Sequence, residues 1–187
     1  MIYGLDEFVR DIKTTLKADN GPGGRKIIKT RMEELLQNQE FLAKALPPDS
    51  KEGHRKLYED PDQGFVVLAH YHAKHRTSPP HDHGPSWAVY GQAVGWSEMG
   101  IWQRTDGGSG EGKADLKQSE TFRLTPGKAG IFDVGHIHSV DRNDGVCAYI
   151  RVTGRDLDHV KRYRYDLEAK KAIAMEAASV ADTATGR

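Results

Sequence analysis

Apolar positions in the first part of the chain recur at helical spacing. Leu5, Phe8, Ile12 and Leu16 are separated by charged residues and predict an amphipathic helix over 5–17. The run Asn20-Gly21-Pro22-Gly23-Gly24 breaks it. A second helical run is expected over about 25–45, with Ile28, Met32, Leu35 or Leu36, and Leu42 on its apolar side, stopped by Pro47-Pro48. From about residue 55 the period changes. Phe65 to His72, Ser86 to Tyr90, Val94 to Arg104, Thr121 to Leu124, Gly130 to Val134, Ile137 to Val140 and Val146 to Val152 read as short strands punctuated by Gly, Pro, Asn or Asp. Such spacing predicts an all-β sandwich or barrel. Thr105 to Lys113, with four glycines and no apolar residue, reads as a loop. Beyond Leu157 the spacing of Tyr163 and Leu167 predicts a C-terminal helix to about Ala178, followed by a frayed tail. The expected organisation is a helical segment over 1–48, a barrel over 49–156 and a terminal helix over 157–187, all in one domain.

Composition narrows the function classes. Lysine plus arginine and aspartate plus glutamate balance at 27 each among 187 residues, so bulk charge gives no argument for nucleic acid or an anionic membrane as partner. The single cysteine, Cys147, excludes an intrachain disulfide framework and is expected as a small buried strand residue. No signal peptide and no membrane-length apolar run is read, so a soluble cytoplasmic protein is expected. The nine histidines are the unusual feature, most of them falling between His54 and His138.

His81 and His83 stand one residue apart after two prolines, and in extended backbone both imidazoles point to one side. Imidazole is a common ligand for transition metals, and a pair needs a third partner. Two histidines downstream, His136 and His138, compete for that position, and strand alternation does not separate them. His72 is the best pocket candidate among the others. His54, His70, His75 and His159 read as polar lining or surface.

The two histidine regions resemble the paired motifs of the cupin superfamily, a double-stranded β-helix. In the first motif His81, His83 and Gly95 fall in register, with His75 in the place of the usual first glycine and Ala88 in the place of the usual glutamate. In the second Gly127, Gly135 and His138 fall in register, with Asp133 where the family has proline and Arg142 where it has asparagine. That register favours His138, and the resemblance implies a metal held by His81, His83 and His138. With alanine at 88 there is no fourth carboxylate. Imidazole accommodates Fe(II), Ni, Cu, Zn and Mn.

Pro80-His81-Asp82-His83-Gly84, followed by Trp87 to Gly91, is similar to bacterial members of the cysteine dioxygenase-like thiol dioxygenase family. That resemblance implies Fe(II), a small thiol acid and O2, with Arg55 placed to pair the substrate carboxylate. The chain departs from that family on the late strand, where Tyr149, Arg151 and Thr153 replace its Ser-His-Tyr relay. Tyr149 is then a candidate phenol and Arg151 a candidate acid-binding group. The alternatives are a metal enzyme acting on a non-thiol small organic acid and a non-catalytic cupin that binds a small ligand. Pairing into a homodimer is compatible with the amphipathic N-terminal helices.

Overall fold

The computed structural model describes residues 3–175. Three helices lead the chain: α1 (Leu5–Ala18), α2 (Pro22–Leu35) and α3 (Gln39–Ala45). The Glu7 carboxylate accepts the Gly4 N–H at 3.1 Å and starts α1. Pro22 occupies the first turn of α2, where its missing N–H costs nothing. The expected second helix is divided, because Asn38 accepts the Phe41 N–H at 2.9 Å and caps a new helix there.

Twelve strands follow: β1 (Gly53–Glu59), β2 (Val66–His72), β3 (Thr77–His81), β4 (Ala88–Val94), β5 (Ser97–Arg104), β6 (Gly112–Lys113), β7 (Leu116–Leu124), β8 (Ala129–Phe132), β9 (Ile137–Arg142), β10 (Cys147–Thr153), β11 (Arg162–Asp166) and β12 (Lys171–Met175). They form two antiparallel sheets, ordered β1-β2-β10-β4-β8 and β6-β12-β11-β3-β9-β5-β7. The central strands of the two sheets, 2-10-4-8 and 3-9-5-7, interleave in the order of a double-sheet jelly roll, an architecture that cupins share. The fold is thus mainly β with N-terminal helices, as expected. The sheets keep their own edges and do not hydrogen-bond into a closed barrel among the described residues.

Alternation gives the first sheet two different faces. Val67, Ala69, Val89, Ile150 and Val152 pack with Phe8, Ile12, Ile28, Met32 and Leu35 beneath the helices. The approach is close at Gly91, where a Cβ would come within 2.5 Å of Met32. The opposite face, with Ala88, Tyr90, Cys147 and Tyr149, joins Met99, Phe132 and Val140 in the space between the sheets. Cys147 is fully buried there, as expected.

The expected C-terminal helix is absent among the described residues. Leu157–His159 is a single 3-10 turn, and β11 and β12 form a hairpin with Lys170 in the left-handed region at φ 50°. The physical reason is a two-residue period: Tyr163 and Tyr165 face one side, Arg162 and Arg164 the other. Tyr165 is buried against Ala114, Ile137 and Ala172 on the outer face of the second sheet. The end of the expected helix, to about Ala178, and the frayed tail after it lie outside the described residues.

Candidate metal centre

The His-x-His segment is only half strand. His81 ends β3, and His83 lies in the turn that follows. Asp82, pointing to the outer face, holds that turn. Its carboxylate accepts the Gly84 N–H at 2.9 Å, the Tyr163 N–H at 3.0 Å and the Tyr165 hydroxyl at 2.8 Å. Its own N–H donates to the Tyr163 carbonyl at 3.0 Å. Gly84, at φ +58°, is needed at the corner, because a Cβ there would strike the Lys161 carbonyl oxygen. The C-terminal hairpin therefore fixes the backbone that aims both imidazoles inward.

His138 comes from β9 and is paired directly opposite His81. One ligand nitrogen from each of His81, His83 and His138 lies within 4.8 Å of the others. His83 and His138 are fully buried, and their Nε2 atoms are 3.2 Å apart. The His81 Nδ1 lies 2.9 Å from the Pro79 carbonyl. It therefore carries the proton and leaves Nε2 with a free lone pair. Burial lowers the pKa of His81 to about 4 and those of His83 and His138 well below the usual imidazole value. The positive charge of Arg151 adds to that lowering at all three, and that of Arg162 at His81 and His83. All three rings are neutral at neutral pH, the form that binds metal.

The residues fit a divalent cation. Two buried Nε2 atoms facing each other at hydrogen-bonding distance share one proton at most, whereas a cation takes a lone pair from each. The cluster contains no acidic residue, so three neutral donors leave a divalent ion its full charge. Ala88 packs among the apolar residues between the sheets, where the usual motif would carry a carboxylate.

The other expected site residues divide. Tyr149 and Arg151 are on β10, on the same inward face. Arg151 Nη1 reaches the Tyr90 hydroxyl at 3.4 Å, and Arg142 Nη2 reaches the Tyr149 hydroxyl at 3.3 Å. Arg55 is not brought to the cluster. It pairs opposite Ala69, so it shares the helix-facing side, and its guanidinium donates to the Lys44 and Ala45 carbonyls at 3.0 and 2.9 Å. His136 sits in the turn before β9 and is exposed. It borders an outer cleft of about 650 Å³ together with Trp102 and Tyr163, and none of the three clustered histidines lines that cleft.

Sequence reasoning did not single out three residues, one of which, His70, it read as polar lining or surface. Tyr90 places its hydroxyl 3.2 Å from His83 Nε2. The signal for it was its position two residues after Ala88, on the same strand face. His70 stacks on Tyr149 with ring centroids 4.6 Å apart, and it lines the interior beside His72. Arg142, treated only as a departure from a motif, anchors β3 through the Arg76 carbonyl and Ser78 Oγ at 3.2 and 3.4 Å.

No protein-family model and no curated protein sequence matches the chain. Among solved structures it is similar to the DMSP lyase DddQ from Ruegeria pomeroyi DSS-3, with 16% identity, 66% of this chain and 50% of that chain covered, and a TM-score of 0.41. It is also similar to KdgF from Halomonas sp., with 16% identity, 57% and 82% covered, and a TM-score of 0.43. A third is a cupin 2 conserved barrel domain protein from Leptotrichia buccalis, with 16% identity, 60% and 45% covered, and a TM-score of 0.42. The chain spans half the length of the lyase. At these scores the likeness adds nothing to what the strand order and the histidine cluster establish by themselves.

Proposed function

We propose that this chain is a cupin-type mononuclear metal enzyme that oxidises a small organic anion with O2. In its specific form it is an Fe(II) dioxygenase acting on a small thiol acid. The observation that carries the reading is the convergence of His81, His83 and His138 without a carboxylate, with Arg151 against the same Tyr90 hydroxyl that approaches His83. His81, His83 and His138 would hold the ion, and Fe(II) bound there would supply the redox chemistry that brings an anionic substrate and O2 together.

The chain's own groups do the rest. The guanidinium of Arg151 pairs the substrate carboxylate and orients the molecule with its thiolate toward the histidines. Ala88 and Phe132, both fully buried, form apolar walls that exclude water. Tyr149, held by Arg142, keeps a phenol on the inward face of β10 for contact with a polar substrate group. The overall change is a thiol plus O2 giving a sulfinic acid, with both oxygen atoms transferred to sulfur.

A second reading has its own support. Arg55 is engaged by α3, and the late strand lacks the Ser-His-Tyr relay, so a small acid without a thiol is also compatible with the site. O2 uptake by the iron-loaded protein, with a panel of thiol acids and thiol-free acids, decides between them. Thiol-dependent uptake with sulfinate formed supports the first. Uptake only with thiol-free acids replaces it with the second. No uptake with any acid in a protein that binds iron overturns both.

A further inference from the structure

Tyr90 has no role in either reading, yet among the described residues its hydroxyl is the one within hydrogen-bonding distance of a cluster nitrogen. Its oxygen is 3.2 Å from His83 Nε2, and the same Nε2 is 3.2 Å from His138 Nε2. Hydrogen bonding does not account for both contacts. One ring nitrogen has either a proton or a lone pair, and so satisfies one partner. Coordination accounts for them readily. Donors held about 2.1 Å from one ion, at angles between the octahedral and the tetrahedral, stand roughly 3.0–3.4 Å apart. Both observed separations fall in that range.

The strand explains how the phenol arrives there. Tyr90 follows Ala88 by two residues in β4, so both point into the space between the sheets. Alanine at 88 removes the carboxylate expected from the motif, and the longer side chain one pleat further along extends to the histidines. On the other side of the phenol, Arg151 Nη1 lies 3.4 Å from the same oxygen, where a guanidinium favours an oxygen bearing negative charge.

We infer that the Tyr90 hydroxyl is a fourth metal-directed donor of the site, in place of the carboxylate that the chain lacks at Ala88. The inference rests on the histidine cluster being a metal site. On coordination the O–H bond breaks, its electron pair stays on oxygen and its proton passes to solvent, as for other ligands that bind deprotonated. No oxidation is involved.

The test uses the entire 187-residue chain, freed of metal and titrated with Fe(III) alone. Wild type is expected to bind one ion per chain with a visible phenolate-to-iron charge-transfer band. Tyr90→Phe is expected to keep its fold by circular dichroism, to bind the ion about tenfold more weakly and to lose the band. Tyr149→Phe, which removes the other inward phenol, is expected to keep the band and so assigns it. A wild type that binds iron without such a band, or a band that survives in Tyr90→Phe, overturns the inference and leaves the three-histidine site standing. A wild type that binds no ion overturns both together. Should Tyr90→Phe lose its fold, the band in wild type and in Tyr149→Phe decides: its presence in both supports Tyr90, and its loss in Tyr149→Phe overturns it.

Discussion

His81, His83 and His138 combine burial with a specific orientation, and the two have different causes. Burial keeps the rings neutral, while the Pro79 carbonyl sets the tautomer of His81. His70 shares the first property without the second, and its pKa is also pushed well below the usual imidazole value by burial, with Arg151 adding to it. Below the usual imidazole pKa of about 6.5 the unfolded chain protonates His70 while the folded one does not. The unfolded state then binds more protons, and stability falls as pH falls. His70→Phe, which keeps a ring for Tyr149 to stack on, is expected to make stability less dependent on pH as the pH falls below about 6.5. Urea unfolding of both proteins at pH 7 and pH 5 measures it. The two arginines offer a sharper contrast. Arg151→Ala is expected to raise KM for the substrate about tenfold when both proteins are fully loaded with metal. Arg55→Ala is expected to leave the kinetics unchanged and to cost about 1 kcal/mol of stability through its lost hydrogen bonds. Steady-state kinetics and urea unfolding on both variants check the pair.

At the scale of elements, the C-terminal hairpin is the feature least legible in the sequence. Its two strands are five residues each, too short to repeat a two-residue period convincingly. Tyr163 and Leu167 happen to stand at helical spacing, and Leu167 is largely exposed beyond the end of β11. The position of Arg55 is illegible in the sequence for a related reason. Its distance along the chain from the first histidine says nothing about which face of β1 it occupies, and only the pairing of Arg55 with Ala69 decides that. Yet the hairpin matters to the site, because Tyr165 and the Tyr163 backbone hold Asp82 between the two histidines. Tyr165→Phe removes a hydrogen bond to a buried carboxylate and is expected to cost about 2 kcal/mol. It should also weaken metal binding although Tyr165 touches no histidine. Urea unfolding and a metal titration on the same variant check both. Unchanged metal affinity would show that the turn holds its shape without the hairpin.

At the scale of the whole molecule, the features that were legible are those set by spacing. Helical periodicity gave α1 and most of α2. The turn residues gave the succession of short strands. The two histidine motifs gave the cluster, although its members are 55 residues apart between His83 and His138. The features that were not legible depend on which strands become neighbours. Tyr90 reaches the cluster because β4 lies in one sheet while β3 and β9 lie in the other, and no local pattern announces a contact across two sheets. The same arrangement ties function to folding. A divalent ion bound between β3, the turn after it and β9 would stabilise the folded chain by an amount that grows with the logarithm of its concentration over its dissociation constant. Metal binding at the cluster is the central claim, and bound metal per chain tests it directly. After metal removal and reloading with Fe(II) under anaerobic conditions, elemental analysis should find one ion per chain in wild type and less than a tenth of that in His138→Ala at the same free iron. Equal occupancy in the two proteins, or no bound ion in wild type, would contradict the account.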